Sequence, residues 1–414
     1  MIYSRINPKY LLITIFYFFI LLSFNSSLSQ EKDVETESIN PLYDNPAELD
    51  FSSNPDLLQR ILATPHGYFR FINIRFSNEV CRRFKNSMTN APALNLHGDA
   101  HLEQYAITDL GRGLTDYDDS STGPGIVDLM RFGVSLNLAC SEKGWEDLDG
   151  KLFDKLLLGY RNALENPNVA APEPTIVKKI QSDFTIDREK YFKWIASIME
   201  PMPTNEPDSV IAAMQPYIQT MFVEAPELNM DFFNIVQMGY LHMGIGSALD
   251  LKYLVRIHGN TDDPLDDVVL EVKEVRNLNG IECIQSGQMA DPFRIIRGQA
   301  RIAYQPFHYL GYFRFRGLNF WVHSWVDNYK EVAIGKTFQS HNELGEVAYD
   351  IGVQLGRGHV KYIADPFDLQ LRREQLQLIN QYEDEIKKER EELTKLTMVA
   401  WKKFSEYFKD KPDK

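Results

Sequence analysis

The period of the hydrophobic pattern changes partway along this chain, and the change limits the folds open to it. Between Asp128 and Tyr160 apolar residues recur at helical spacing, with Leu129, Phe132, Leu136 and Ala139 on one face. Helical pieces continue to about Met238, broken by proline clusters at 167–174 and 201–207. After Met238 the runs become β-branched and apolar. Lys252–Ile257 ends at His258-Gly259-Asn260, and Val268–Lys273 follows a turn-rich link, so the two read as an antiparallel pair. Phe320–Trp325 is a third strand candidate. Beyond Pro366 a long polar helix is expected from about Leu369 to Phe408, its Glu and Lys marking a solvated face. The expected class is α+β, a small antiparallel sheet set in a largely helical chain. The expected divisions are 1–30, a signal peptide; 31–55, a flexible lead-in; 56–238, mainly helical; 239–335, the sheet lobe; and 336–414, a C-terminal helical part.

The first 30 residues carry an address. Arg5 and Lys9 precede the apolar run Tyr10–Phe24, and Ser27 and Ser29 stand before a cleavage point near Gln30. The run is shorter than the roughly 20 residues a membrane span needs. Export to the periplasm or beyond is expected, with only transient membrane contact; the alternative is a retained N-terminal anchor. The three cysteines, Cys81, Cys140 and Cys283, read as small buried hydrophobes and not as a disulfide scaffold. Lys and Arg total 44 against 58 Asp and Glu, a net charge of -14, with no basic run interleaved with aromatics. Nucleic acid is therefore not an expected partner.

The chemistry concentrates in His97-Gly98-Asp99-Ala100-His101-Leu102-Glu103-Gln104 and Asp116-Tyr117-Asp118-Asp119. Phosphoryl transfer asks a protein for a carboxylate beside the attacking hydroxyl and oxygen ligands for a metal on the phosphates. Asp99 supplies the first, as catalytic base. Gln104, five positions on, and Asp116, after a hairpin turned at Gly111-Arg112-Gly113, supply the second, helped by Asp118. This pattern resembles the aminoglycoside-phosphotransferase type of kinase-like fold. There, a His-Gly-Asp loop is followed by a metal-binding Asp and, twelve residues later, by an Asp before Leu that steadies the loop. Asp128-Leu129 has that offset from Asp116, which gives Asp128 and His97 a supporting role.

A closer resemblance, from about Leu58 to Phe408, is to the bacterial domain-of-unknown-function family 2252. Its features stand here as Gly67-Tyr68-Phe69-Arg70, His97 to Gln104, Thr115 to Asp119, Gly123-Pro124 and Asp128-Leu129-Met130-Arg131. They continue as Gly244-Ile245-Gly246-Ser247, Val272-Lys273-Glu274, Gly298-Gln299 and Leu355-Gly356-Arg357-Gly358-His359. The resemblance implies a protein-kinase-like fold with permuted lobe order, because the Gly-rich turn and strand Lys follow the catalytic loop. Alone, Gly244 and Gly246 make a tight turn and Lys273 an edge residue. In this order they imply nucleotide binding by Gly244, Gly246, Ser247 and Lys273. The implied ligands are Mg²⁺ or Mn²⁺ and ATP or another nucleoside triphosphate. The hydroxyl acceptor, a small molecule or a protein, is unknown.

Three positions depart from the family. Gln104 replaces Asn, Leu249 stands where Gly is frequent, and Arg297 replaces an acidic residue before Gly-Gln. Glu274 adjoins Lys273 and so points to the opposite strand face. Two other functions fit the same residues. One is a catalytically silent kinase-like binding module. The other is a metal-dependent hydrolase built on His97, Asp99 and His101 with the Asp116 cluster.

Overall fold

The computed structural model describes residues 40–52, 54–109, 111–243, 245, 250–285 and 290–409. Three helices open the fold, α1 (Pro55–Ala63), α2 (Pro65–Phe71) and α3 (Asn73–Arg83). Asn54 and Thr64 cap the first two with side-chain oxygens, and each helix begins on a proline that has no N–H to leave unpaired. Leu42 is fully buried and its carbonyl accepts from Tyr68 Oη at 2.8 Å. Within the stretch read as a lead-in, Leu42 and Pro46 are buried. Four short strands follow: β1 (Leu94–Leu96), β2 (Tyr105–Thr108), β3 (Arg112–Leu114) and β4 (Ser121–Gly123). The β2–β3 turn closes where Thr108 N donates to Gly111 O, so Arg112 and Gly113 belong to the strand and not to the turn.

Helices α4 (Ile126–Lys143), α5 (Asp149–Glu165), α6 (Thr175–Gln181), α7 (Arg188–Ile198) and α8 (Glu206–Glu224) lead to the main sheet. Its strands are β5 (Ile235–Tyr240), β6 (Lys252–Ile257), β7 (Val268–Glu274), β8 (Gly311–Phe315) and β9 (Leu318–Trp325), with α9 (Pro292–Ile302) between β7 and β8. The order is β5-β6-β7-β9-β8, all antiparallel. The expected pair and third strand are β6, β7 and β9. A short β10 (Tyr329–Glu331) returns to pair with β2, and α10 (Ile334–Thr337), α11 (His341–His359), α12 (Phe367–Gln381) and α13 (Glu383–Lys409) complete the chain.

Side chains alternate across a strand, and the two faces of this sheet differ. Tyr253, Val255, Leu270, Val272 and Phe320 bury one face against Val210, Met214 and Tyr217 of α8. The other face holds Leu254 and Val269 against α7 at one end. At the other end the register aligns Lys252 with Lys273 and Lys273 with Trp321, a polar strip inside the fold. Helices α7 and α8, expected with the helical part, thus supply the sheet's own core.

Two expectations need correction. The long C-terminal helix is two helices, parted at Tyr382 (φ −110°, ψ 19°). Glu and Lys spacing marks an exposed face but carries no signal for a backbone turn. Cys81 of α3 and Cys283 are joined in a disulfide, 202 residues apart in sequence, a separation at which no local pattern reveals pairing. Cys140 is the buried small hydrophobe expected, with a free thiol.

Candidate functional site

The site grows from the start of α4. Asp128, in its first turn, accepts from the amides of His97 (2.7 Å) and Gly98 (2.8 Å) and lies 3.2 Å from His359 Nε2. Burial pushes this carboxyl up, but His359 and the amides outweigh it and hold it below the usual carboxylate range. Gly98 has φ +84°, and a Cβ there would fall 1.9 Å from the Asp119 carbonyl, so only glycine fits. His97 Nε2 lies 2.9 Å from the Thr115 carbonyl and Nδ1 lies 3.3 Å from the Asp99 amide. A carbonyl accepts and an amide donates, so the ring is neutral with its proton on Nε2. Burial, which pushes its pKa down, agrees.

Asp99 is held from behind. Arg131, fully buried on α4, places Nε 2.9 Å and Nη2 2.7 Å from Asp99 Oδ1 and stacks its guanidinium 3.8 Å over the Phe69 ring. His101 Nε2 is 3.7 Å from the other oxygen. Burial pushes the Asp99 carboxyl up to about 6, with Arg131 pulling down and Asp119 and Asp116 pushing up. That suits a group asked to accept a proton near neutrality.

Lys273 makes the junction between the two halves of the site. Its Nζ is 2.7 Å from Asp116 Oδ1 and 2.6 Å from Asp118 Oδ2. Gln104 Nε2 donates to Asp116 Oδ2 at 3.2 Å, and Trp321 Nε1 donates to Asp118 Oδ1 at 2.8 Å. Asp116 is in the left-handed region (φ 58°), which turns its carboxylate to the ammonium. Burial lowers the affinity of Lys273 for its proton, but Asp116, Asp118 and Glu271 outweigh it and keep the group charged. Burial also pushes both carboxyls up. For Asp116, Lys273 and the hydrogen bonds from Asp118 and Lys273 reverse this; for Asp118, the charge of Asp116 adds to it. One proton-poor and one proton-avid carboxyl thus share one cation.

Asp116 and Lys273 open on a cleft of about 260 Å³, whose walls include Arg70, Lys252, Glu271, Trp321 and Tyr329, whereas Asp99, Gln104 and Asp118 are not among its lining residues. Met243 and Ile245 also line it, while Gly244, Gly246 and Ser247 lie outside the described residues. Among the described residues no group of three or more His, Cys, Asp or Glu side chains is arranged around a metal position. Magnesium, however, is ordinarily held by one or two carboxylates, with water and phosphate as the other ligands. Asp116 and Asp118 aim oxygens at one point, now filled by the Lys273 ammonium, and so fit that smaller demand.

One residue of this site and several long-range contacts escaped the sequence reading. Glu271, two positions before Lys273 and on its face, faces His323 Nε2 at 3.0 Å; Lys273 and His323 overcome burial to lower its carboxyl to about 2. Period-two counting back from Lys273 would have found it. Asp119 accepts from Asn73 Nδ2 (2.7 Å) and Arg276 Nη1 (3.3 Å), contacts between distant segments that no spacing rule reaches. Arg297, on α9, donates to Thr122 Oγ1 at 2.9 Å.

No curated protein and no solved structure matches the chain significantly. A family model described as "Uncharacterized protein conserved in bacteria (DUF2252)" matches residues 55–199 and 179–406. These segments contain the Asp99 loop, the acidic cluster and Lys273 and span most of the chain, which therefore belongs to domain-of-unknown-function family 2252.

Proposed function

We propose that the chain is an exported kinase-like phosphotransferase with permuted lobe order, moving a phosphoryl group from a nucleoside triphosphate to a hydroxyl. The observation that carries this reading is the contact of Lys273 with Asp116 and Asp118 beside the Asp128-anchored Asp99 loop. Lys273 slides from the carboxylates to the nucleotide phosphates, and Gly244, Gly246 and Ser247 contact them. Asp116, with Asp118 and the Gln104 amide, would hold Mg²⁺ or Mn²⁺, which would supply positive charge to neutralise the phosphates. Asp99 takes the acceptor hydroxyl proton as its oxygen bonds to the γ-phosphorus. The bond from phosphorus to the β–γ bridging oxygen breaks, and the nucleoside diphosphate leaves with that electron pair. Export is supported by the N-terminal apolar run and by the Cys81–Cys283 disulfide, since such bonds persist in oxidising compartments.

Calorimetric titration of ATP and GTP, each with Mg²⁺ or Mn²⁺, tests the reading. Metal-dependent binding is expected; no affinity for any of them at roughly millimolar concentration would sink it. A silent binding module is favoured by a specific feature, the buried Arg131 guanidinium that occupies Asp99 Oδ1. Nucleotide binding without phosphate release in single turnover would select it. The hydrolase reading is weaker, because the His97 ring is committed to Thr115 and the Asp99 amide.

A further inference from the structure

We propose that a second cavity, lined by arginines, takes the phosphate acceptor, and that this acceptor is a small hydroxyl compound bearing its own oxyanion, a phosphate or a carboxylate. The inference rests on the phosphoryl-transfer reading above. The cavity has a volume of about 660 Å³, and its walls include Arg70, Arg75, Arg82, Arg276 and Asn73. That is the range of small-molecule sites, which favours a metabolite over a protein side chain.

Position links it to the chemistry. Asn73 Nδ2 donates to the Gly98 carbonyl at 3.1 Å, so one wall is bonded to the residue before Asp99. Arg276 reaches Asp119 at 3.3 Å, three residues beyond Asp116. Arg70 lines both this cavity and the cleft of Lys273. A compound seated here lies against the Asp99 loop on one side and shares Arg70 with the nucleotide cleft on the other.

The hydrogen-bond donors give the chemical class. The four guanidinium groups face three carboxylates on the same walls, Asp44, Glu79 and Asp250. Arg70 also pairs with Glu103 and Arg276 with Asp119, so every guanidinium has a carboxylate partner. The carboxylates do not exhaust the donors. Each guanidinium carries five N–H groups; Asp44 takes Nε and Nη2 of Arg75, and Glu79 takes Nε and Nη2 of Arg82. Carboxylates holding the planes in place preorganise the remaining donors for an incoming oxyanion.

Titration of the purified protein with glycerol 3-phosphate, glycerate and neutral glycerol tests this, and the two charged arms tell phosphate from carboxylate. At least one anion is expected to bind and glycerol is not. The Arg75→Gln/Arg82→Gln variant is expected to weaken that binding by about tenfold or more. These side chains are 45 % and 64 % exposed, so the variant should fold, which its melting temperature checks. Absence of affinity for either anion at about 10 mM, or equal affinity in variant and wild type, overturns the proposal. ATP with Mg²⁺, titrated into the same samples, separates the two readings. Nucleotide affinity without anion affinity defeats the acceptor assignment alone, whereas loss of nucleotide affinity removes the donor and the acceptor role with it.

Discussion

Asp99 and Asp116 carry the same charge into neighbouring positions, yet their surroundings ask different things of them. Asp99 is raised to about 6, so its base form predominates only above about that pH. Turnover should therefore rise with pH through about 6 and level off. Asp99→Asn should leave nucleotide affinity intact, lower turnover on the order of 10²-fold, and abolish that acidic limb; an unchanged pH profile would remove Asp99 from the role of base. Asp116→Asn is the contrasting test. Asn tolerates the left-handed backbone that Asp116 adopts, so the loop should survive while a charged ligand is lost. Metal-dependent nucleotide binding should weaken by about tenfold or more in calorimetry. The placement of such residues, unlike their roles, is the part most readable in a sequence, because spacing within one loop is preserved in the fold. Asp128 shows it: an offset counted along the chain corresponds to two hydrogen bonds to the loop amides.

Among the elements, α5 and α11 touch backbone to backbone. A Cβ on Gly352 would stand 2.1 Å from the Leu156 carbonyl, and one on Gly159 would stand 2.2 Å from the Tyr349 carbonyl. No flexible side chain is there to give way, so the helices must part. Gly352→Ala should cost about 1–3 kcal/mol or more in denaturant unfolding, and since α11 carries His359 it should also loosen the Asp128 anchor. Gly356 belongs to a motif that the sequence displays but does not explain; its Cβ would meet the Tyr160 carbonyl at 2.6 Å. Strands β6, β7 and β9 were legible because short β-branched and apolar runs bounded by turn residues suit strands buried on both faces. The break at Tyr382 was not, because the polar pattern runs through it unchanged.

Across the whole molecule, the contacts that sequence reasoning missed are those between distant segments. Arg276 to Asp119 and Arg294 to the carbonyl of Asp118 both join the segment after β7 to the acidic cluster. The Cys81–Cys283 bond ties that same segment to α3. Replacing both cysteines by Ser should lower stability by about 2–4 kcal/mol, read from denaturant unfolding under oxidising conditions, because the unfolded chain regains the freedom of a 202-residue loop. A null change would mean the bond does not form in the folded protein.

The partnership of Asp128 with His359 also sets a timetable. The two lie 231 residues apart, and synthesis at about 5–20 residues per second separates their emergence by roughly 10 to 50 seconds. In that interval the carboxylate that organises the Asp99 loop lacks the imidazole that completes its surroundings, and β2 lacks its neighbour β10. A nascent or truncated chain ending before His359 lacks that imidazole, so the surroundings of Asp128 are completed only after more than two hundred further residues have been made.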